Sequence, residues 1–208
     1  MISRRFNCIF VHIPKCGGTS IENALWTPEE RTEENLWKGE RKGQYNIYQT
    51  GGLQHLKAHQ IRHHLGRDAF AGFFKFTVVR NPYARMISQF TYMQKRNDLR
   101  EFIGLDKRDD FSTYLQKIKR RSHVQWEPQI SFVNGFDGKP LVDQVIKLEN
   151  IEREWPVLLQ NLKISDDIRL GHDNKSKQSA SAADLTAEQK KTIREYFYED
   201  FVAFGYEF

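Results

Sequence analysis

Lys15, Gly17, Gly18, Thr19 and Ser20 crowd together directly after an apolar run. Glycines let a backbone come close to a ligand oxygen. A strand that turns through two glycines into a helix points several N–H groups, and the positive end of the helix dipole, at one spot. Thr19 and Ser20 add hydroxyl donors, and Lys15 adds a mobile positive charge. The natural occupant is a phosphate. Farther along, Arg80 closes a β-prone run and Ser88 lies eight residues on. An arginine at a strand end points into the crevice where α/β sheets bind ligands, and arginine can grip a phosphate with two parallel hydrogen bonds. Ser88 adds a hydroxyl from the same side. Taken alone, this second segment reads first as an arginine capping a carboxylate and a serine within a helix.

The surrounding elements are those such a site needs. Residues 7–13 (NCIFVHI) form a short, mostly apolar run suited to a buried parallel strand. Residues 19–26 place Ile21, Ala24 and Leu25 at helical spacing, and Pro28 stops the helix. Residues 27–50 are polar and irregular. A short helix is expected over 58–65, a second strand over 73–79 (FFKFTVV), and a helix opening at Asn81-Pro82 and running to about Met93. The charge-rich stretch 95–110 reads as surface. Residues 111–119 look helical, 143–148 (DQVIKL) form a third strand candidate, and a helix follows over about 152–162. Residues 171–184 are a small, polar loop. Thr186 and Gln189 form a capping box for a last helix carrying Ile193, Tyr196 and Phe197. Strands alternating with helices predict a single α/β domain over 1–208, with a mainly parallel central sheet flanked by helices.

Composition narrows the class. The 208 residues carry 32 Lys and Arg against 27 Asp and Glu, a net charge of +5, and fifteen Phe, which excludes wholesale disorder. No apolar run approaches the roughly 18 residues of a membrane span. The N-terminal apolar stretch lacks a small-residue cleavage site and leads straight into the glycines, so it reads as a core strand and not a signal peptide. A cytoplasmic location is the expectation. Cys8 and Cys16 cannot make a disulfide scaffold and lack partners at zinc-site spacing; one buried thiol and one loop thiol are expected. The mild basic balance suits anionic ligands of several kinds.

The first turn is not a triphosphate loop of the G-x-x-x-x-G-K-[ST] type, because lysine precedes the glycines and Gly18-Thr19 stands where Gly-Lys would. No conspicuous acidic magnesium ligand follows a strand. Together, Ile13-Pro14-Lys15-Cys16-Gly17-Gly18-Thr19-Ser20 and Val79-Arg80-Asn81-Pro82-Tyr83-Ala84-Arg85 through Ser88 resemble the two cofactor loops of sulfotransferases that use 3′-phosphoadenosine 5′-phosphosulfate (PAPS). The likeness is greatest to the carbohydrate-type family that includes the chondroitin and heparan sulfate enzymes and bacterial relatives. Softer likeness extends to Leu148-Glu149-Asn150, to Asn174-Lys175-Ser176 and to the segment from Tyr198 to Tyr206.

That resemblance implies a sulfotransferase fold of the P-loop-like kind and transfer of a sulfuryl group to an acceptor hydroxyl, with a glycan as acceptor. PAPS would be the donor, adenosine 3′,5′-bisphosphate the product, and no metal would be required. Lys15 would stabilise charge on the leaving oxygen. Residues 15–20 (Lys15, Cys16, Gly17, Gly18, Thr19, Ser20) would hold the 5′ end and Arg80 and Ser88 the 3′-phosphate. Asn174 and Ser176 would fold over the cofactor. A histidine base is expected between the loops. His55, which matches the family's spacing to Ala58, is the first candidate and His59 the second; His63 and His64 suit a solvated helix face. Glu22 reads as structural, with a base role as the lesser alternative. Arg85 is left between the 3′-phosphate site and an acidic partner. Trp126 and Gln129 are left between core and acceptor cleft. The run Lys119-Arg120-Arg121 suits a solvated face or an acidic glycan. Two other classes remain open on the residues: a nucleotide-dependent phosphotransferase and a non-catalytic polyanion binder, the latter without any nucleic-acid module.

Overall fold

A computed structural model describes residues 1–37, 53–165, 167–171 and 182–208. Its strands are β1 (Ile2–Ser3), β2 (Cys8–Val11), β3 (Phe74–Val79) and β4 (Gln144–Lys147). Its helices are α1 (Gly18–Leu25), α2 (Ala58–Leu65), α3 (Arg67–Ala71), α4 (Pro82–Met93), α5 (Asn97–Ile103), α6 (Phe111–Ile118), α7 (Ile130–Val133), α8 (Ile151–Asn161), α9 (Ala187–Tyr196) and α10 (Tyr198–Phe204). Contacts divide the chain into two compact units, Met1–Val79 with Gln129–Lys175 and Arg80–Pro128 with Ser176–Phe208.

The first unit holds the α/β sheet, in the order β1-β2-β3-β4. β1 is antiparallel to β2, whereas β2, β3 and β4 run parallel. All four residues of β2 are buried, as a strand covered on both faces requires. Side chains alternate across the sheet. Cys8, Phe10, Phe76, Val78 and Ile146 join Ile21 and Leu25 of α1 and Trp155, Leu158 and Leu159 of α8 in one core. Phe10 and Phe76, paired in register, stack at 5.1 Å. The one hydroxyl buried in β3 is satisfied, since Thr77 Oγ1 donates to the Val11 carbonyl at 2.7 Å. Parallel strands put their C-terminal ends on one edge. Residues 12–20, 80–88 and 148–150 each follow one of these ends, so the segments singled out by sequence leave the sheet there.

The second unit is helical. Met86, Ile87 and Met93 of α4, Tyr114 and Leu115 of α6, Ile193 of α9 and Phe201 of α10 share a core with Trp126. α5 corrects the reading of 95–110 as plain surface, because Leu99 and Ile103 lie on a buried helix face. The capping box at Thr186 and Gln189 forms as expected. Both thiols are buried, Cys8 within β2 and Cys16 in the loop between β2 and α1, and burial pushes the Cys8 thiol up to about 12.

His123 supplies an acid-sensitive point in this unit. It is 1% exposed, its Nδ1 accepts from the Gln125 N–H at 3.1 Å, and its ring stacks on Trp126 at 4.7 Å. Burial, reinforced by the Arg96 charge and opposed by Asp98, lowers its imidazole to about 4. The unfolded chain takes up this proton near pH 6.5 and the folded chain does not. Stability is therefore complete above about pH 6.5 and is lost as pH falls toward 4, by about 3 kcal/mol in all. Denaturant unfolding at pH 7.5 and 4.5 will show this loss, and the H123N variant will show a flatter dependence. Equal slopes in both proteins would remove His123 as the cause.

Candidate active site

Residues 12–17 carry the chain from β2 into α1. Lys15 has φ +67° and Gly17 φ +80°, with an ordinary residue between them. Such alternation turns successive N–H groups toward one side and builds an anion nest. A left-handed lysine costs roughly 1–2 kcal/mol, so neighbouring structure must hold it. No side chain caps α1 at Gly17, which leaves the first N–H groups of the helix for a ligand. Packing also bears on both glycines. A Cβ on Gly17 would come within 2.7 Å of Leu148 Cδ1, and one on Gly18 within 2.0 Å of His12 Nε2. The turn that follows β4 therefore abuts the glycine turn through Leu148.

The imidazole against Gly18 is itself fixed. His12 Nδ1 lies 2.7 Å from Glu22 Oε1 on α1, and both side chains are buried. Burial pushes the Glu22 carboxyl upward. The hydrogen bond and charge of His12, with a contribution from Trp37, outweigh this and hold it below the ordinary carboxylate range. Glu22 thus braces the start of α1 through His12.

His55 packs on the same imidazole. Its Nδ1 is 3.0 Å from the His12 carbonyl oxygen, and the two ring centroids are 4.5 Å apart in an edge-on arrangement. A carbonyl only accepts, so Nδ1 carries the proton and Nε2 is the basic nitrogen. His59, the second candidate, sits on α2 with its ring 4.5 Å from that of Phe136. His63 is exposed and His64 half-buried.

Cys16 Sγ donates to Gln129 Oε1 at 3.2 Å, and both residues are buried. This contact ties Gln129 to the glycine turn. Arg80 directly follows β3 in the chain and is half-buried, as is Ser88 within α4. Asn81 caps α4 by accepting from the Tyr83 N–H at 2.9 Å, with Pro82 at the first helical position. Arg85 is fully buried in the helical unit. It donates to the Glu127 carbonyl at 2.8 Å and lies 5.8 Å over the Phe197 ring, so it braces backbone. Trp126 is core, its Nε1 donating to the Arg121 carbonyl at 2.7 Å. Lys119, Arg120 and Arg121 are exposed. Asn174 and Ser176 lie outside the described residues. Among the described residues, no group of three or more His, Cys, Asp or Glu is placed to hold a metal ion. None of the described helices is long and apolar enough to cross a membrane.

A strand-turn-helix with a lysine in the turn and an uncapped helix start suits a phosphate-type group. A family model described as the sulfotransferase family matches residues 1–207. The chain belongs to the sulfotransferase family. No curated protein and no solved structure matches it significantly. Sequence reasoning passed over His12, whose signal was a titratable residue ending an otherwise apolar strand. It also gave Leu148 no role beyond likeness.

Proposed function

We propose that the chain transfers the sulfuryl group of PAPS to a carbohydrate hydroxyl. The observation that carries this reading is the turn over residues 15–18, where Lys15 and Gly17 take left-handed φ and no side chain caps the start of α1. The cradle and its lysine fit a phosphosulfate. When bound, PAPS supplies the sulfuryl group and leaves as adenosine 3′,5′-bisphosphate. Backbone N–H groups of Gly17, Gly18 and Thr19, with the Thr19 and Ser20 hydroxyls, bind the 5′ end. Cys16 serves through its backbone, since its thiol is engaged with Gln129. Lys15 stabilises the negative charge that develops on the departing oxygen. Arg80 and Ser88 bind the 3′-phosphate, and Asn174 and Ser176 add further contacts. His55 accepts the acceptor's proton at Nε2, with Nδ1 anchored on the His12 carbonyl. Positioning and charge stabilisation supply most of the rate, by analogy with phosphoryl transfer. The two units act as one sulfotransferase domain in this reading, supported by a family match that runs through both.

PAPS labelled in its sulfur, incubated with a panel of polysaccharides, peptides and small alcohols, tests the proposal. Label is expected on a polysaccharide hydroxyl. Label found only on peptides or small alcohols would overturn the carbohydrate assignment.

A further inference from the structure

Glu22 lies one turn into α1 and is 5% exposed. The uncapped start of that helix is the end assigned above to an anionic cofactor. A carboxylate beside it repels such an anion, and a buried charge is costly unless it is paired. A neutral side chain could brace α1 without either cost. The charge is therefore best explained by the group it meets, which is His12 Nδ1 at 2.7 Å.

The His12 imidazole is enclosed. Phe10 stacks on it, with ring centroids 5.3 Å apart and planes 15° from parallel. Gly18 backs its Nε2 so closely that a Cβ there would come within 2.0 Å. The His55 ring meets it edge-on at 4.5 Å. His12 touches His55 a second time through its backbone, since its carbonyl oxygen lies 3.0 Å from His55 Nδ1. A carboxylate that fixes this imidazole thus acts on the proposed base at one remove, as in sites where a third group orients a base.

We propose that Glu22 and His12 are positioning residues for His55, with the Glu22 carboxylate orienting the His12 imidazole and, through it, the ring and the Nδ1 anchor of the base. The proposal rests on the transfer reading above. The acceptor's proton passes to His55 Nε2 as its oxygen bonds to sulfur and the bond from sulfur to the departing phosphate oxygen breaks. The proton stays on His55, because Nδ1 is already protonated and a carbonyl cannot take that proton on. His55 then carries a positive charge against the His12 ring. The Glu22 carboxylate on the far side of the Glu22–His12 contact offsets that charge, and burial strengthens the effect.

A double-mutant cycle of E22Q and H55A tests this, read as transfer of label from PAPS to the polysaccharide labelled in the panel above. Glutamine keeps the size of Glu22 and can still accept from His12 Nδ1, but it removes the charge. In the parent background E22Q is expected to lower kcat by about 10- to 100-fold. Donor KM and adenosine 3′,5′-bisphosphate affinity should stay within about twofold, which also reports that the variant folds. In the H55A background E22Q should cost nothing further. E22A, which also removes the acceptor atom, should lose more in the parent and equally little in H55A. Nitrogen NMR of the parent with labelled histidine needs no variant and should show a protonated Nδ1 in both His12 and His55. A merely bracing Glu22 would instead raise donor KM, weaken bisphosphate binding and add its loss to that of H55A. That pattern, or a His55 protonated only at Nε2, would overturn the positioning role and leave the transfer reading standing. A parent protein that moves no label from PAPS would strike the transfer reading and this proposal with it.

Discussion

H55A is expected to lower sulfuryl-transfer turnover by about 10²- to 10⁴-fold while leaving adenosine 3′,5′-bisphosphate affinity nearly unchanged. The size follows from removal of a positioned proton acceptor. The selectivity follows from location: His55 packs on the backbone and ring of His12, and its proposed role is at the acceptor. The loss should therefore appear in kcat and not in donor KM. H55N gives the more stringent comparison, because an amide nitrogen can still donate to the His12 carbonyl but has no basic partner atom. H59A supplies the alternative, since the His59 ring rests on Phe136. Full turnover in H55A with collapse in H59A would reassign the base.

The second large effect is expected at Gly18. Alanine is the better helix former by about 1 kcal/mol, and Gly18 has no left-handed φ to protect. Propensity alone therefore predicts a gain in stability for G18A. Packing predicts the reverse. The new Cβ would lie 2.0 Å from His12 Nε2, and the imidazole cannot withdraw easily because Glu22 holds it from the other nitrogen at 2.7 Å. Overpacking of this kind costs typically 1–3 kcal/mol, and shifting the turn also removes the anion cradle. G18A should unfold at lower denaturant and bind adenosine 3′,5′-bisphosphate at least tenfold more weakly. H12N alone leaves Glu22 buried without its partner, a change that costs about 3–5 kcal/mol. In the H12N/G18A double variant the clash is relieved, so its loss should fall short of the sum of the two single losses. Strict additivity would show that the imidazole is not what excludes a side chain at Gly18.

The elements that carry the site were legible because their signals are local. β2, β3 and β4 are compact apolar runs, and α2 and α4 fell within a residue or so of their expected bounds, α4 because Asn81-Pro82 marks its start. β1 was not legible, since two residues acquire strand character only by pairing with Ile9 and Cys8. α5 was hidden by its charges, of which Asp98 and Glu101 are exposed while Arg100 is buried with Leu99 and Ile103. α10 follows α9 after a single residue, so no spacer separates the two periods. In the site, glycine, lysine and hydroxyl types announced the turn. The pairing of His12 with Glu22 did not announce itself, because nine residues of turn and helix lie between them and no single period relates them. Arg85 was ambiguous for a similar reason: its partners are backbone carbonyls some forty residues away, which no side-chain pattern records.

Thermal unfolding with adenosine 3′,5′-bisphosphate in a magnesium-free buffer, set beside ATP with magnesium, tests the central claim most directly. Ligand binding raises the unfolding temperature by linkage, and a concentration 100 times Kd contributes about 2.7 kcal/mol. The parent protein should be stabilised more by the 3′,5′-bisphosphate than by magnesium ATP, and R80A should lose that preference. Equal or greater stabilisation by magnesium ATP would contradict a PAPS-dependent sulfotransferase and favour a nucleotide-dependent phosphotransferase.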